Sequence, residues 1–80
     1  MNRVKVERLR PTELLAKLGE EFGEVCQRYV QVLESEDIKD ACDRRDQMIE
    51  ELEHVMLVAE VWHDKSVALN KAERLKYGGA

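Results

Sequence analysis

Between residues 12 and 33 the apolar positions fall at Leu15, Leu18, Phe22, Val25, Tyr29 and Leu33. Steps of three and four residues place them on one face of a 3.6-residue helix and predict a helix from Thr12 to Leu33. Leu14, Cys26 and Val30 widen that stripe. Pro11 marks the boundary before it, and Thr12 is its N-cap candidate. Gly19 and Gly23 lie four apart on one flank. Each weakens helix propensity by about 1 kcal/mol against alanine, a cost that close approach of another helix would explain. Glu34-Ser35-Glu36-Asp37 reads as a turn. A second helix is expected from Ile38 to His63, with Met48, Leu52, Val55, Met56, Ala59 and Trp62 on its apolar face. The charged stretch from Asp40 to Asp46 is either a solvated first part or a break. A short third helix is expected after Ser66, through Val67 to Tyr77, ended by Gly78. Residues 1–11 carry only a weak alternation and are read as an N-terminal arm. Residues 12–78 are read as the helical domain.

The composition narrows this picture. The chain has 80 residues, 44% of them apolar, with one proline and four glycines, which excludes collagen-like and turn-dense all-β classes. A single chain of this size buries only roughly 60% of its unfolded surface, so one copy has little room for a large enclosed cavity. The expected fold class is all-α: a small helical hairpin plus a short third helix, completed by oligomerisation into a helical bundle. The net charge of -4 argues against a nucleic acid polymer as partner, despite the basic start Arg3, Lys5, Arg8 and Arg10. Cys26 and Cys42 are too few for a disulfide scaffold and wrongly spaced for a closed zinc site. Reduced thiols, no apolar run of the ~20 residues that span a bilayer, and no signal-peptide pattern give a cytoplasmic expectation with no membrane.

The carboxylates carry the chemistry. At about 100° per residue, Glu51 lies within about 40° of Val55, Val58 and Trp62, near the middle of an apolar face. His54 lies about 60° to one side, while Glu50, Glu53 and Glu60 project away. A carboxylate on an apolar face is costly unless it is paired or binds a cation. On the first helix Glu20, Glu21 and Glu24 stand at i,i+3 and i,i+4 spacings and reach a common point, with Glu21 nearest the apolar stripe. Such a cluster is either a wet surface or a cation site. Packed beside the second helix, it would meet Glu51 and His54, and oxygen ligands from two helices suit a hard divalent cation. Lys17, Arg28, Lys71 and Arg74 are either ordinary ion-pair partners or, beside a bound cation, holders of phosphate oxygens. Trp62 is assigned to the core or an interface, Cys26 to the core and His63 to the surface.

Glu20-Glu21-Phe22-Gly23-Glu24 resembles the EExxE motif of the MazG-like all-α nucleoside triphosphate pyrophosphohydrolases. Glu50-Glu51-Leu52-Glu53-His54 stands where that family has its second motif, ExxD. Asn70-Lys71-Ala72-Glu73-Arg74 is similar to its closing Lys/Arg segment. The order of these segments agrees over about residues 12–78. The resemblance implies that Glu21, Glu24 and Glu51 bind Mg²⁺, with His54 in the place of the family's aspartate. It implies that Glu20 orients or deprotonates the attacking water, and that Lys71, Arg74 and Lys17 hold the phosphates. The implied reaction converts a ribo- or deoxynucleoside triphosphate into a monophosphate and pyrophosphate, in a homodimer or tetramer whose nucleotide pocket forms between subunits, with Trp62 or Tyr29 lining the base pocket. His54 departs from the pattern: imidazole suits Mn²⁺ or Zn²⁺ better than Mg²⁺. Two alternatives stand beside this enzyme. One is a catalytically weak nucleotide- or metal-binding regulatory module on the same scaffold. The other is a purely structural helical interaction protein.

Overall fold

The computed structural model describes residues 1–78. They form three helices and no strand: α1 from Arg3 to Glu7, α2 from Pro11 to Leu33 and α3 from Ile38 to Lys76. The all-α expectation holds at this level. The third helix stands elsewhere than expected. No helix begins at Ser66, because Asp64-Lys65-Ser66 contains neither glycine nor proline and α3 runs straight through it. The charged stretch after Asp40 is likewise helical, so α3 is one 39-residue helix. Tyr77 caps it, donating from its backbone N–H to the Glu73 carbonyl. Gly78 follows with φ 67°, a left-handed conformation that glycine adopts without steric cost.

The short helix is α1, inside the segment read as an arm. Five residues are too few for a 3.6-residue period to show in sequence. Asn2 caps it, its side chain accepting from Val4 N at 2.8 Å, and Val6 is buried. The start of α2 also differs from expectation by a residue or two. Pro11 takes the first helical position and Arg10, not Thr12, is the N-cap. Glu13 accepts from Arg10 N at 2.9 Å and from Arg10 Nε at 3.1 Å. These bonds, the backbone one first, hold the Glu13 carboxyl below the usual carboxylate range.

Asp37 caps α3 by accepting from Asp40 N at 2.7 Å. Arg44 ties the turn down, donating to the Gln31 carbonyl at 2.7 Å and to Asp40 Oδ1 at 3.1 Å. Farther along, Arg28 donates to Gln47 at 2.8 Å, and Leu14 packs with Val58 and Val61. Residues rising along α2 thus meet residues falling along α3, and the two helices are antiparallel. The molecule is a thin rod of 60 × 23 × 16 Å. Its buried apolar core is Val6, Leu14, Val58 and Val61, with Leu9, Leu18, Leu57 and Trp62 packed against it. Lys65 Nζ donates to the Leu9 carbonyl at 2.7 Å and closes that end of the hairpin. Beyond it residues 66–76 of α3 are exposed, an overhang of about 16 Å at 1.5 Å per residue.

Only part of the expected apolar stripe of α2 faces α3: Leu18 packs against the core and Val25 is half-buried. Leu14 faces it too, but Leu15, Phe22, Tyr29 and Leu33 are all more than half exposed. Cys26, expected in the core, is exposed as well. Those four apolar residues are turned about 60–100° from Leu14, and Leu52 on α3 is turned about 120° from Val58 in the same sense. In an antiparallel pair these rotations bring both faces to the same flank. That flank is apolar and open, and α1 lies on the opposite one. Gly19 and Gly23 have no atom within 4 Å of where a Cβ would stand, so packing within the chain does not require them.

Candidate metal site

The site continues the core seam by one heptad. Glu21 lies seven residues after Leu14, Glu51 seven before Val58 and His54 seven before Val61. Seven residues are nearly two helical turns, so each polar residue shares a face with the core residue it is paired with here. Moving along the hairpin toward its turn, the seam between α2 and α3 changes from aliphatic to ionisable. Glu21 is 4% exposed, and Glu51 and His54 are half-buried. His54 Nδ1 is 3.3 Å from Glu21 Oε2 and 3.3 Å from Glu51 Oε2. Donor atoms from all three residues lie within 4.8 Å of one another.

Both of those oxygens are buried, and neither has a hydrogen-bond partner. The imidazole is near enough to each but is not aimed at either. An unsatisfied buried acceptor costs about 1–3 kcal/mol, and more when charged. A divalent cation would remove that cost. Neighbouring ligand atoms on one small cation stand about 3.0–3.4 Å apart for bonds of roughly 2.1 Å, which fits both imidazole-to-carboxylate separations. Two carboxylates and one imidazole suit Mn²⁺ or Zn²⁺, and Mg²⁺ through the carboxylates.

Lys17 Nζ is 3.2 Å from Glu21 Oε1 and 3.8 Å from Glu20 Oε1. The bond to Glu21 leads the causes that raise the Lys17 ammonium above its ordinary value. Glu24 lies against Glu51. The neighbouring Glu51 carboxylate raises the Glu24 carboxyl and the Glu21 charge raises it further, while Glu51 is lowered, by Glu24 first and by His54 as well. Of these two carboxylates, Glu24 is the one that takes a proton first.

Lys17, Glu20, Glu21, Glu24 and His54 line one side of a groove of about 560 Å³, with Lys5, Val6 and Leu9 across from them. The structure therefore brings together every expected site residue from Lys17 to Glu24 with Glu51 and His54. It does not bring in Lys71 or Arg74. Both are exposed on the overhang, some 25–30 Å along α3 from His54 at 1.5 Å per residue. Trp62 is partly buried against the core, away from this groove. Tyr29 is exposed on the open flank. Arg28 donates to Gln31 and Gln47 rather than pairing with Glu24. His63 is a surface residue 3.0 Å from Asp64. Sequence reasoning missed Lys5. Its only signal was the run of basic residues at the start of the chain.

Fold and site together define an all-α chain with a two-helix acidic and imidazole cluster able to hold a metal ion. No protein-family model, no curated protein and no solved structure matches this chain. Among the described residues no helix is long and apolar enough to cross a membrane.

Proposed function

We propose that this protein is a divalent-cation-binding helical module whose ligands are Glu21, Glu51 and His54. The observation that carries this is the pair of buried carboxylate oxygens without hydrogen-bond partners, both 3.3 Å from one imidazole nitrogen. Titration of the folded protein with Mn²⁺, followed by electron paramagnetic resonance, tests it. Wild type is expected to take up Mn²⁺ and Glu21→Gln to lose most of that uptake. A hundredfold excess over Kd would add about 2.7 kcal/mol of stability. Absence of uptake by folded wild type would end the reading.

A second reading is favoured by Glu20, Glu24 and Lys17 sharing the groove with the cluster, and by the resemblance to the MazG-like pyrophosphohydrolases. In it the protein hydrolyses a nucleoside triphosphate. Water adds to the α-phosphorus, the bond to the α–β bridging oxygen breaks, and a monophosphate and pyrophosphate leave. The cation would supply charge neutralisation and a more acidic bound water. Glu21, Glu24, Glu51 and His54 would hold Mg²⁺ or Mn²⁺, Glu20 would orient the water or take its proton, and Lys17 would meet a phosphate. Lys71 and Arg74 would act only if a second copy presented them. Pyrophosphate release from a panel of ribo- and deoxynucleoside triphosphates tests this, with Mg²⁺ and Mn²⁺ side by side. Activity that disappears in Glu24→Gln supports it. Silence from a metal-loaded sample leaves the binding module.

The open apolar flank carries the quaternary part of the proposal. Leu15, Phe22, Tyr29 and Leu33 on α2 and Leu52 on α3 are exposed on this flank, an apolar face of the kind that marks association. A second copy packed there would complete a four-helix bundle and leave the groove free on the far side. Light scattering across a dilution series tests it, and a monomer at every concentration would exclude it.

A further inference from the structure

The groove beside the metal cluster has walls of opposite character. α2 and α3 contribute the carboxylates of Glu20, Glu21 and Glu24 with His54, and α1 contributes Val6 and Lys5. α1 and the segment after it are fixed by ties in which Lys5 takes no part. Val6 is buried, Arg3 pairs with Glu60 at 3.4 Å and Asp64 at 3.7 Å, and Lys65 holds the Leu9 carbonyl. Arg3 is therefore engaged on the outer side of α3, while Lys5, two residues on, lines the groove. In the groove Lys17 pairs with Glu20 and Glu21, and the His54 imidazole lies beside Glu21 and Glu51. Lys5 enters none of these contacts, so its ammonium stands more than 4.0 Å from every carboxylate oxygen across the gap.

An ammonium held across a gap from a cation site is placed to grip the far end of an anion bound to that cation. Lysine suits the task as a compact point charge with three donors. A phosphoryl group that turns two oxygens to the cation still has another for the ammonium, whereas a carboxylate that gives both oxygens to the cation has none left. We propose that Lys5 is an anion-positioning residue, holding a phosphoryl-type oxyanion whose other oxygens face the cation at Glu21, Glu51 and His54. This rests on the cation-binding reading of the cluster. It makes α1 a wall of the ligand site, with Val6 and Leu9 as an apolar floor beside the charged group.

The test separates the two readings. Mn²⁺ binding is measured first, by its paramagnetic resonance signal. The Mn²⁺ complex of inorganic pyrophosphate is then titrated calorimetrically into Mn²⁺-saturated protein. Lys5→Gln is expected to keep Mn²⁺ affinity within about twofold and to weaken pyrophosphate binding about tenfold, the loss of one charge-assisted hydrogen bond. Lys5→Arg should retain most of the affinity, and Arg8→Gln, on the connection just after α1 and outside the groove, all of it. Equal pyrophosphate affinity in Lys5→Gln and wild type overturns the assignment. So does an equal loss in Arg8→Gln, which would mean a general charge effect, or a loss of Mn²⁺ itself in Lys5→Gln, which would make α1 merely structural. If wild type takes up no Mn²⁺, the cation site fails first and Lys5 falls with it.

Discussion

Glu21 and Phe22 are neighbours in α2, yet Glu21 is 4% exposed and Phe22 is 58% exposed. The two residues belong to different flanks of the hairpin. One flank has α1 laid over it, a small aliphatic core beneath, and a carboxylate–imidazole cluster where that core gives out. The other carries Leu15, Tyr29 and Leu33 in the open. A helix with apolar residues spread over so wide an arc has two directions in which to bury them. This chain fills only one of the two, and on that side it places charges as well as aliphatics. Burial of Glu21 against exposure of Phe22 adds nothing to the stability of a lone chain; the proposed cation on one flank and second copy on the other would account for both.

Truncation on the two flanks should therefore give unequal results. The largest effect is expected from Leu14→Ala, at a fully buried position where loss of the side chain costs about 2–5 kcal/mol. Denaturant unfolding should show the midpoint fall with the slope unchanged. Next comes Glu21→Met, which replaces a buried carboxylate by an apolar side chain of similar length. Without metal it should leave stability unchanged or raise it, by relieving repulsion with Glu20, Glu24 and Glu51. With Mn²⁺ present the order should reverse, because only wild type gains from binding. A Glu21→Met protein less stable than metal-free wild type would show that the Lys17–Glu21 pair outweighs the cost of burying the charge.

α2, and α3 as far as His63, were legible in sequence because more than twenty residues give a 3.6-residue period room to show. α1 was not, since five residues hold little more than one turn and only Val6 declares a buried side. The cluster was legible for a physical reason too: Glu51 breaks an apolar face, and a broken face needs a counter-charge. What periodicity could not reveal was which side of α2 meets α3. Leu14, Leu18, Glu21 and Val25 share that side, while Leu15, Phe22, Tyr29 and Leu33 point elsewhere, so only part of the expected stripe belongs to the intrachain core. Ser66 misled in the opposite way. A good N-cap residue starts a helix only where the preceding chain has left one, and nothing before Ser66 stops α3.

A smaller effect is expected on the open flank. Replacing Phe22 and Tyr29 together by serine should shift the unfolding free energy of the dilute protein by no more than about 0.5 kcal/mol per site, the usual range for surface positions. In concentrated samples the same double variant should lose any dependence of melting temperature on concentration, since association stabilises only where a partner surface exists. A large loss of stability in the dilute variant would mean that these rings are packed in the single chain after all, and the contrast between the flanks would fail.

The smallest effect belongs to the start of α2, far from both flanks' chemistry. Glu13 is lowered by the Arg10 backbone N–H first and the Arg10 side chain next. A carboxyl lowered on folding stabilises the folded state above its unfolded value of 4.5 and ceases to do so as pH falls through its lower folded value. Glu13→Gln should thus be slightly less stable than wild type near neutral pH, and the difference should close in acid. Glu24 has the opposite sign. Contact with Glu51 raises it, so its ionisation on passing upward through the folded value removes stability instead of adding it. Glu24→Gln should accordingly match metal-free wild type in acid and equal or exceed it near neutrality. If the Glu13 and Glu24 variants moved in the same direction with pH, the crowding of carboxylates assigned to the cluster would be absent, and the groove flank would hold an ordinary solvated surface.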